Sequence, residues 1–161
     1  MKKLTLTALS AMAFSLTSLA AQAGDPEAGA SAFQSQCQNC HNVTNEAGDV
    51  LAGRPNVRTG PNLYAVLGRQ AGIVEGFRYG ASLVSAGEAG LVWDDEPMTA
   101  YLQDPQGFLR ETLGDNRARS QMSFRVRDEE TAVNIIAFLD SLAPRDEEEA
   151  NGDDEEEAAA D

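Results

Sequence analysis

Both cysteines of the chain and its only histidine fall within five residues, Cys37-Gln38-Asn39-Cys40-His41. Four chemistries use such residues. A disulfide between Cys37 and Cys40 would close a very short loop and stabilise little, because the entropy removed from the unfolded chain grows with loop length. A redox-active dithiol belongs after a strand in a βαβ pattern, and no such pattern precedes Cys37. A structural zinc site takes four ligands, and two cysteines with one histidine cannot complete a Cys/His set. The remaining reading is Cys-x-x-Cys-His, the attachment signature of a c-type haem. The two thiols add across the haem vinyl groups as thioethers, and the adjacent His41 reaches the iron as an axial ligand.

A haem with one histidine has a sixth position that stays open or is filled by methionine. Met1 and Met12 lie in the N-terminal leader. Met98 shares a helical face with Tyr101 and Leu102, which reads as core packing. Met122 lies in Arg-Ala-Arg-Ser-Gln-Met-Ser-Phe-Arg-Val-Arg, a polar stretch with no apolar stripe between two helical segments. A core does not explain a methionine there, whereas a sulfur held on iron does, so Met122 is the favoured ligand. The chain has no second histidine to act as a base, no spare thiol and no phosphate-cradling glycine pattern. Its many acids occur in runs and read as solvated faces.

The elements that must position these residues lie between two distinct ends. Residues 1–23 have a basic start, an uncharged apolar run and Ala21-Gln22-Ala23, the features of a cleaved secretory signal peptide. The run is diluted by Ser and Thr and is short for a bilayer span of ~20 residues. Residues 144–161 are expected to be an acidic disordered tail: from 145 onward there are ten acids, one arginine and no large apolar residue. One domain remains, residues 24–143. A helix is expected over 25–38, with Asp25 as cap and Pro26 in the first turn. Residues 42–62 read as loop, 62–72 as a short helix closed by Gly68, and 93–105 as a helix capped by Asp94 or Asp95. Another short helix follows over 105–114. The clearest helix lies within 127–144, where Asp128, Glu129 and Glu130 favour its N-terminus and Pro144 ends it. The expected class is all-α, helices joined by long loops that wrap one haem.

In that order the motifs resemble class I c-type cytochromes, and among them the bacterial cytochrome c2 branch, over nearly all of residues 24–143. "GASAFQSQCQNCH" is similar to the first helix and haem site, and "NIIAFL" to the last helix, with Gly29 and Phe33 facing Ile135 and Phe138. "TGPNLYAVLGR" resembles the segment whose proline, here Pro61, offers its carbonyl to the axial histidine. The resemblance implies that Tyr79 of "GFRY", Trp93 and Arg69 serve the haem propionates, and that Tyr101 of "MTAYLQDP" hydrogen-bonds the axial sulfur. "QMSF" implies Met122 as that ligand, with Phe124 at the haem edge. The family implies a one-electron carrier and no enzyme: a periplasmic monomer taking electrons from a cytochrome bc1 complex. A photosynthetic reaction centre, terminal oxidase or periplasmic reductase would receive them, through transient contact with membrane-bound complexes and without nucleic acid.

The chain departs from the family in having no lysine beyond Lys2 and Lys3. Four arginines, Arg117, Arg119, Arg125 and Arg127, bracket Met122, and Arg54 and Arg58 precede Pro61. They are expected to stand in for the lysines that usually ring the haem edge. Two rival readings remain at this point. One is a peroxidase-like or gas-binding haem with an open sixth site. The other is a dedicated subunit docking on one dehydrogenase through its acidic surface.

Overall fold

Asp25 starts the first helix by accepting hydrogen bonds from the backbone N–H groups of Glu27 (2.9 Å) and Ala28 (3.2 Å). Pro26 takes the position where a missing N–H costs nothing. Helix α1 runs Pro26–Gln36. The computed structural model describes residues 24–145, so the expected leader and residues 146–161 of the expected tail lie outside the described residues. Asp128 caps the last helix, α5 (Glu129–Leu142), by accepting from Thr131 N–H at 2.8 Å.

These two helices cross each other. Gly29 makes the crossing possible, because a Cβ there would overlap the carbonyl oxygen of Asn134. Phe33 then meets Phe138 with ring centroids 5.6 Å apart, and Ile135 is buried in the same cluster. The Asn134 side chain accepts from Asp25 N–H at 2.8 Å, so the crossing also fixes the start of the domain.

Residues 42–62, expected as loop, contain a short antiparallel hairpin. Strands β1 (Asn42–Thr44) and β2 (Val50–Gly53) pair with Asn42 opposite Gly53 and Val43 opposite Ala52. Asn45 closes the turn by accepting from Asp49 N–H at 2.8 Å. Strands of three and four residues are too short for alternation to show.

The helix expected over 62–72 does not form. Ala65 (φ 49°) and Gly68 (φ 77°) are both left-handed there, a conformation that stops helix propagation. The Asn62 side chain instead accepts from Thr44 N–H and Tyr64 N–H and donates to Thr44 C=O, fastening this segment to β1.

A helix that the sequence did not announce, α2 (Ala81–Glu88), has Gly80 as its cap with no side-chain cap bond. It packs through Gly87 against the backbone of Ala71. Helices α3 (Asp95–Gln103) and α4 (Pro105–Leu113) follow as expected. Asp104 ends one and caps the other, accepting from Gly107 N–H at 3.0 Å, and Gly114 (φ 60°) ends α4. Phe33, Val43, Pro105, Leu109, Val126 and Ile135 are the largest fully buried side chains among the described residues. No polar or charged residue is buried among the described residues.

Arg145, which the sequence places in the tail, is tied to the domain. Its guanidinium reaches Asp94 (2.7 Å), Asp95 (3.2 Å) and Asp140 (3.0 Å), bridging the start of α3 to the end of α5. The folded contacts therefore extend at least two residues beyond Ala143.

Candidate haem site

The C-terminus of α1 delivers the cysteines. Cys37 N–H donates to Phe33 C=O at 2.8 Å, and the N–H groups of Cys40 and His41 both donate to Cys37 C=O at 3.0 Å. This compact turn places Cys37, Cys40 and His41 together. The cysteines are unbridged, Cys37 half-buried and Cys40 exposed. Burial, with Cys40 nearby, pushes the Cys37 thiol up to about 11. A redox-active thiol needs the opposite shift, toward the thiolate, so this environment disfavours dithiol exchange.

His41 is fixed through one nitrogen. Its Nδ1 lies 3.0 Å from the Pro61 carbonyl. A carbonyl only accepts, so Nδ1 carries the proton and Nε2 keeps its lone pair. Burial holds the imidazole below its ordinary pKa, opposed by the bond to Pro61. The ring is thus neutral at pH 7 and ready to ligate a metal. Gly60 supplies the space: any Cβ there would overlap the imidazole. Its N–H donates to Cys40 C=O at 2.7 Å, which locks the Pro61 segment to the cysteine turn. Sequence reading did not single out Gly60. Its only early signal is its place next to Pro61.

Arg69, Tyr79 and Trp93 form a second group. The Arg69 guanidinium donates to Tyr64 C=O (2.8 Å) and Asn62 C=O (3.2 Å). It pairs with no carboxylate among the described residues. Partial burial lowers its pKa, with Tyr79 acting in the opposite direction. Burial raises the Tyr79 phenol, against the pull of the Arg69 charge. The backbone of Trp93 is bonded to that of Arg69 (2.9 Å) and Gly68 (2.8 Å), and its indole is buried against Tyr101 and Phe108. An uncompensated, half-buried cation beside a phenol is a fitting seat for a carboxylate.

Met98 is 6% exposed and belongs to the core. Met122 is half-buried and touches the core from the irregular segment between α4 and α5. The Tyr101 hydroxyl, expected at the Met122 sulfur, is paired with Ser120 Oγ at 3.2 Å. Ser120 Oγ in turn donates to Met122 C=O at 2.9 Å. Ser120 has one hydroxyl proton, so Tyr101 is the donor between them. Phe124 is 45% exposed, an unusual position for a phenylalanine with no surface role.

Of the arginines around Met122, two are already engaged. Arg125 pairs with Asp104 at 2.8 Å and Arg117 with Asp115 at 3.5 Å. Arg119 and Arg127 are exposed and have no carboxylate partner among the described residues, as is true of Arg54 and Arg58.

Comparison with known proteins gives consistent relatives. The chain is 52% identical over 124 residues to cytochrome c2 of Rhodovulum adriaticum, a match covering 77% of this chain and 97% of the relative. It is 47% identical over 145 residues to cytochrome c2 of Cereibacter sphaeroides, covering 89% and 99%. The crystal structure of cytochrome c2 from Rhodobacter sphaeroides superposes with a TM-score of 0.73 at 48% identity, covering 76% of this chain and 99% of that one. No family model matches the chain.

Proposed function

Since this chain belongs to the cytochrome c2 family of class I c-type cytochromes and carries one covalent haem c, we propose that it is a one-electron carrier whose iron is held by His41 and Met122. Cys37 and Cys40 would bear the two thioethers. The haem supplies an iron that alternates between ferric and ferrous states.

The residues of the chain tune and protect that iron. Pro61 holds the His41 ring in one orientation and makes it a better donor. A methionine sulfur raises the potential relative to a second nitrogen ligand, because the soft thioether favours ferrous iron. The Arg69 and Tyr79 pair would receive a propionate and neutralise its charge. Held by His41 and Met122, the iron would be closed to substrate, and the protein would carry electrons without acting as an enzyme. The observation that carries this reading is the His41 arrangement. It has one nitrogen spent on Pro61, the other free, and a glycine in place of any side chain that would crowd the ring.

Residues 1–23 would direct export and be removed after Ala23, which places the mature protein in the periplasm. That setting fits a monomer that takes electrons from a cytochrome bc1 complex. It would deliver them by transient docking to a photosynthetic reaction centre, terminal oxidase or periplasmic reductase. Redox titration followed by visible absorbance should give a single one-electron wave, and carbon monoxide should leave the ferrous spectrum unchanged at neutral pH. Ready carbon monoxide binding would replace this reading with the open-site haem.

A further inference from the structure

The segment from Ala118 to Met122 is held from outside. It lies between α4 and α5 and forms no helix or strand. Its backbone groups are taken by side chains of α2 and α4 and by its own Ser120, whose hydroxyl is in turn held from α3. From α2, Ser82 Oγ accepts from Arg119 N–H at 2.9 Å. From α3, the Tyr101 hydroxyl reaches Ser120 Oγ, which donates to Met122 C=O. From α4, Gln106 uses both ends of its amide. Its Nε2 donates to Ala118 C=O, and its Oε1 accepts from Ser120 N–H at 3.4 Å.

The Gln106 contact differs from the others in kind. A side-chain amide that donates to one residue and accepts from the residue two further on acts as a neighbouring strand would. It fixes both the height and the direction of the backbone two residues before Met122. No shorter or purely apolar side chain at this position supplies both bonds. Gln106 is the second residue of α4, directly after Pro105, in a helix start that the Asp104 side chain caps by accepting from Gly107 N–H. An anchored lever on an irregular loop transmits rigidity to whatever the loop carries.

We propose that Gln106 is a positioning residue that latches the Met122 segment and sets how readily the methionine sulfur leaves the iron. This rests on the His41/Met122 reading. Without the latch, the loop opens at lower cost and an external ligand competes better for the sixth position.

Imidazole binding to the ferric holoprotein tests the latch, followed by loss of the weak long-wavelength band that sulfur ligation gives. Gln106→Leu should bind imidazole about tenfold more tightly, which corresponds to about 1.4 kcal/mol. Ser82→Ala, a substitution that suits a helix, should shift affinity in the same direction by less, and it covers the case in which Gln106→Leu does not fold. Ile136→Val, which lowers global stability at a buried core site in α5, should leave imidazole affinity unchanged. A Gln106→Leu affinity within twofold of the parent overturns the latch, as does an equal shift in Ile136→Val, which would make the effect global. Met122→Ala separates the two claims. If it keeps the band, the ligand reading falls and the latch with it. If it loses the band while Gln106→Leu and Ser82→Ala bind imidazole as the parent does, only the latch falls.

Discussion

His41 depends on a residue that has no side chain. Gly60 packs against the imidazole so closely that one methyl group cannot be inserted, and the adjacent Pro61 carbonyl orients the ring. Gly60→Ala should therefore destabilise the holoprotein by about 1–3 kcal/mol, the usual range for overpacking, and reduce the yield of haem-loaded protein. Denaturant unfolding of the purified variant measures this, and parent-like stability would show that the ring has room to move. The cysteines and His41 were legible in the sequence because they are the only residues of their kinds and stand together. Gly60 and Gln106 were not, because ordinary residue types carry their meaning in partners that sequence does not bring alongside. Gln106 meets residues 12 and 14 positions away. Tyr101 shows the same limit in another form. Its position pointed to Met122, but the intervening Ser120 appears only in the structure.

Helices announced by local chemistry formed where expected. Asp25 with Pro26, Asp94 before α3, Asp104 with Pro105, and Asp128 each satisfy their own helix start within three residues, so adjacent sequence suffices to read them. Helix α2 lacked such a signal because Gly80 offers no side-chain cap, and the false helix over 62–72 failed because Asn62 serves β1 instead. Asp128 makes the cap testable by pH. Its bonds to the Thr131 side chain and backbone hold its carboxyl below the ordinary value of 3.8. A depressed acid contributes stability above its unfolded pKa and loses it as pH falls through the folded value. Asp128→Ala should thus lower the melting temperature at pH 7, with the gap to the parent closing below about pH 4. A gap that persists undiminished in acid would assign the effect to packing. The crossing of α1 and α5 gives a second test, because two effects oppose each other. Alanine in place of Gly29 gains about 1 kcal/mol of helix propensity. Its Cβ, however, would overlap the Asn134 carbonyl and force the helices apart. Gly29→Ala should therefore be net destabilising by thermal unfolding, and a raised melting temperature would mean that the crossing has slack.

The molecule as a whole carries a formal charge of −14, which becomes −16 without Lys2 and Lys3. Against that background Arg119 and Arg127, exposed and without a carboxylate partner among the described residues, flank Met122 in sequence, while Arg125 is partly spent on Asp104. Arg119→Glu is hence the cleaner probe of docking. It should slow electron transfer to the physiological partner at low ionic strength, with the difference shrinking as salt rises and the haem spectrum unchanged. Faster transfer in stopped-flow measurements would point to a basic partner that meets the acidic faces instead. The C-terminal boundary also changes at this scale. Arg145 holds Asp94, Asp95 and Asp140 together, so truncation after Arg145 should leave the melting temperature unchanged, while truncation after Ala143 should lower it slightly. As the network is largely exposed, its contribution is of order 1 kcal/mol or less. The latch presupposes an iron held between His41 and Met122, and the ferric absorption spectrum addresses that directly, read together with the midpoint potential. Met122→Ala should abolish the weak long-wavelength band of sulfur ligation and lower the potential, while Met98→Leu, a change within the core, should leave both nearly as they are. Loss of the band in Met98→Leu with its retention in Met122→Ala would contradict the account.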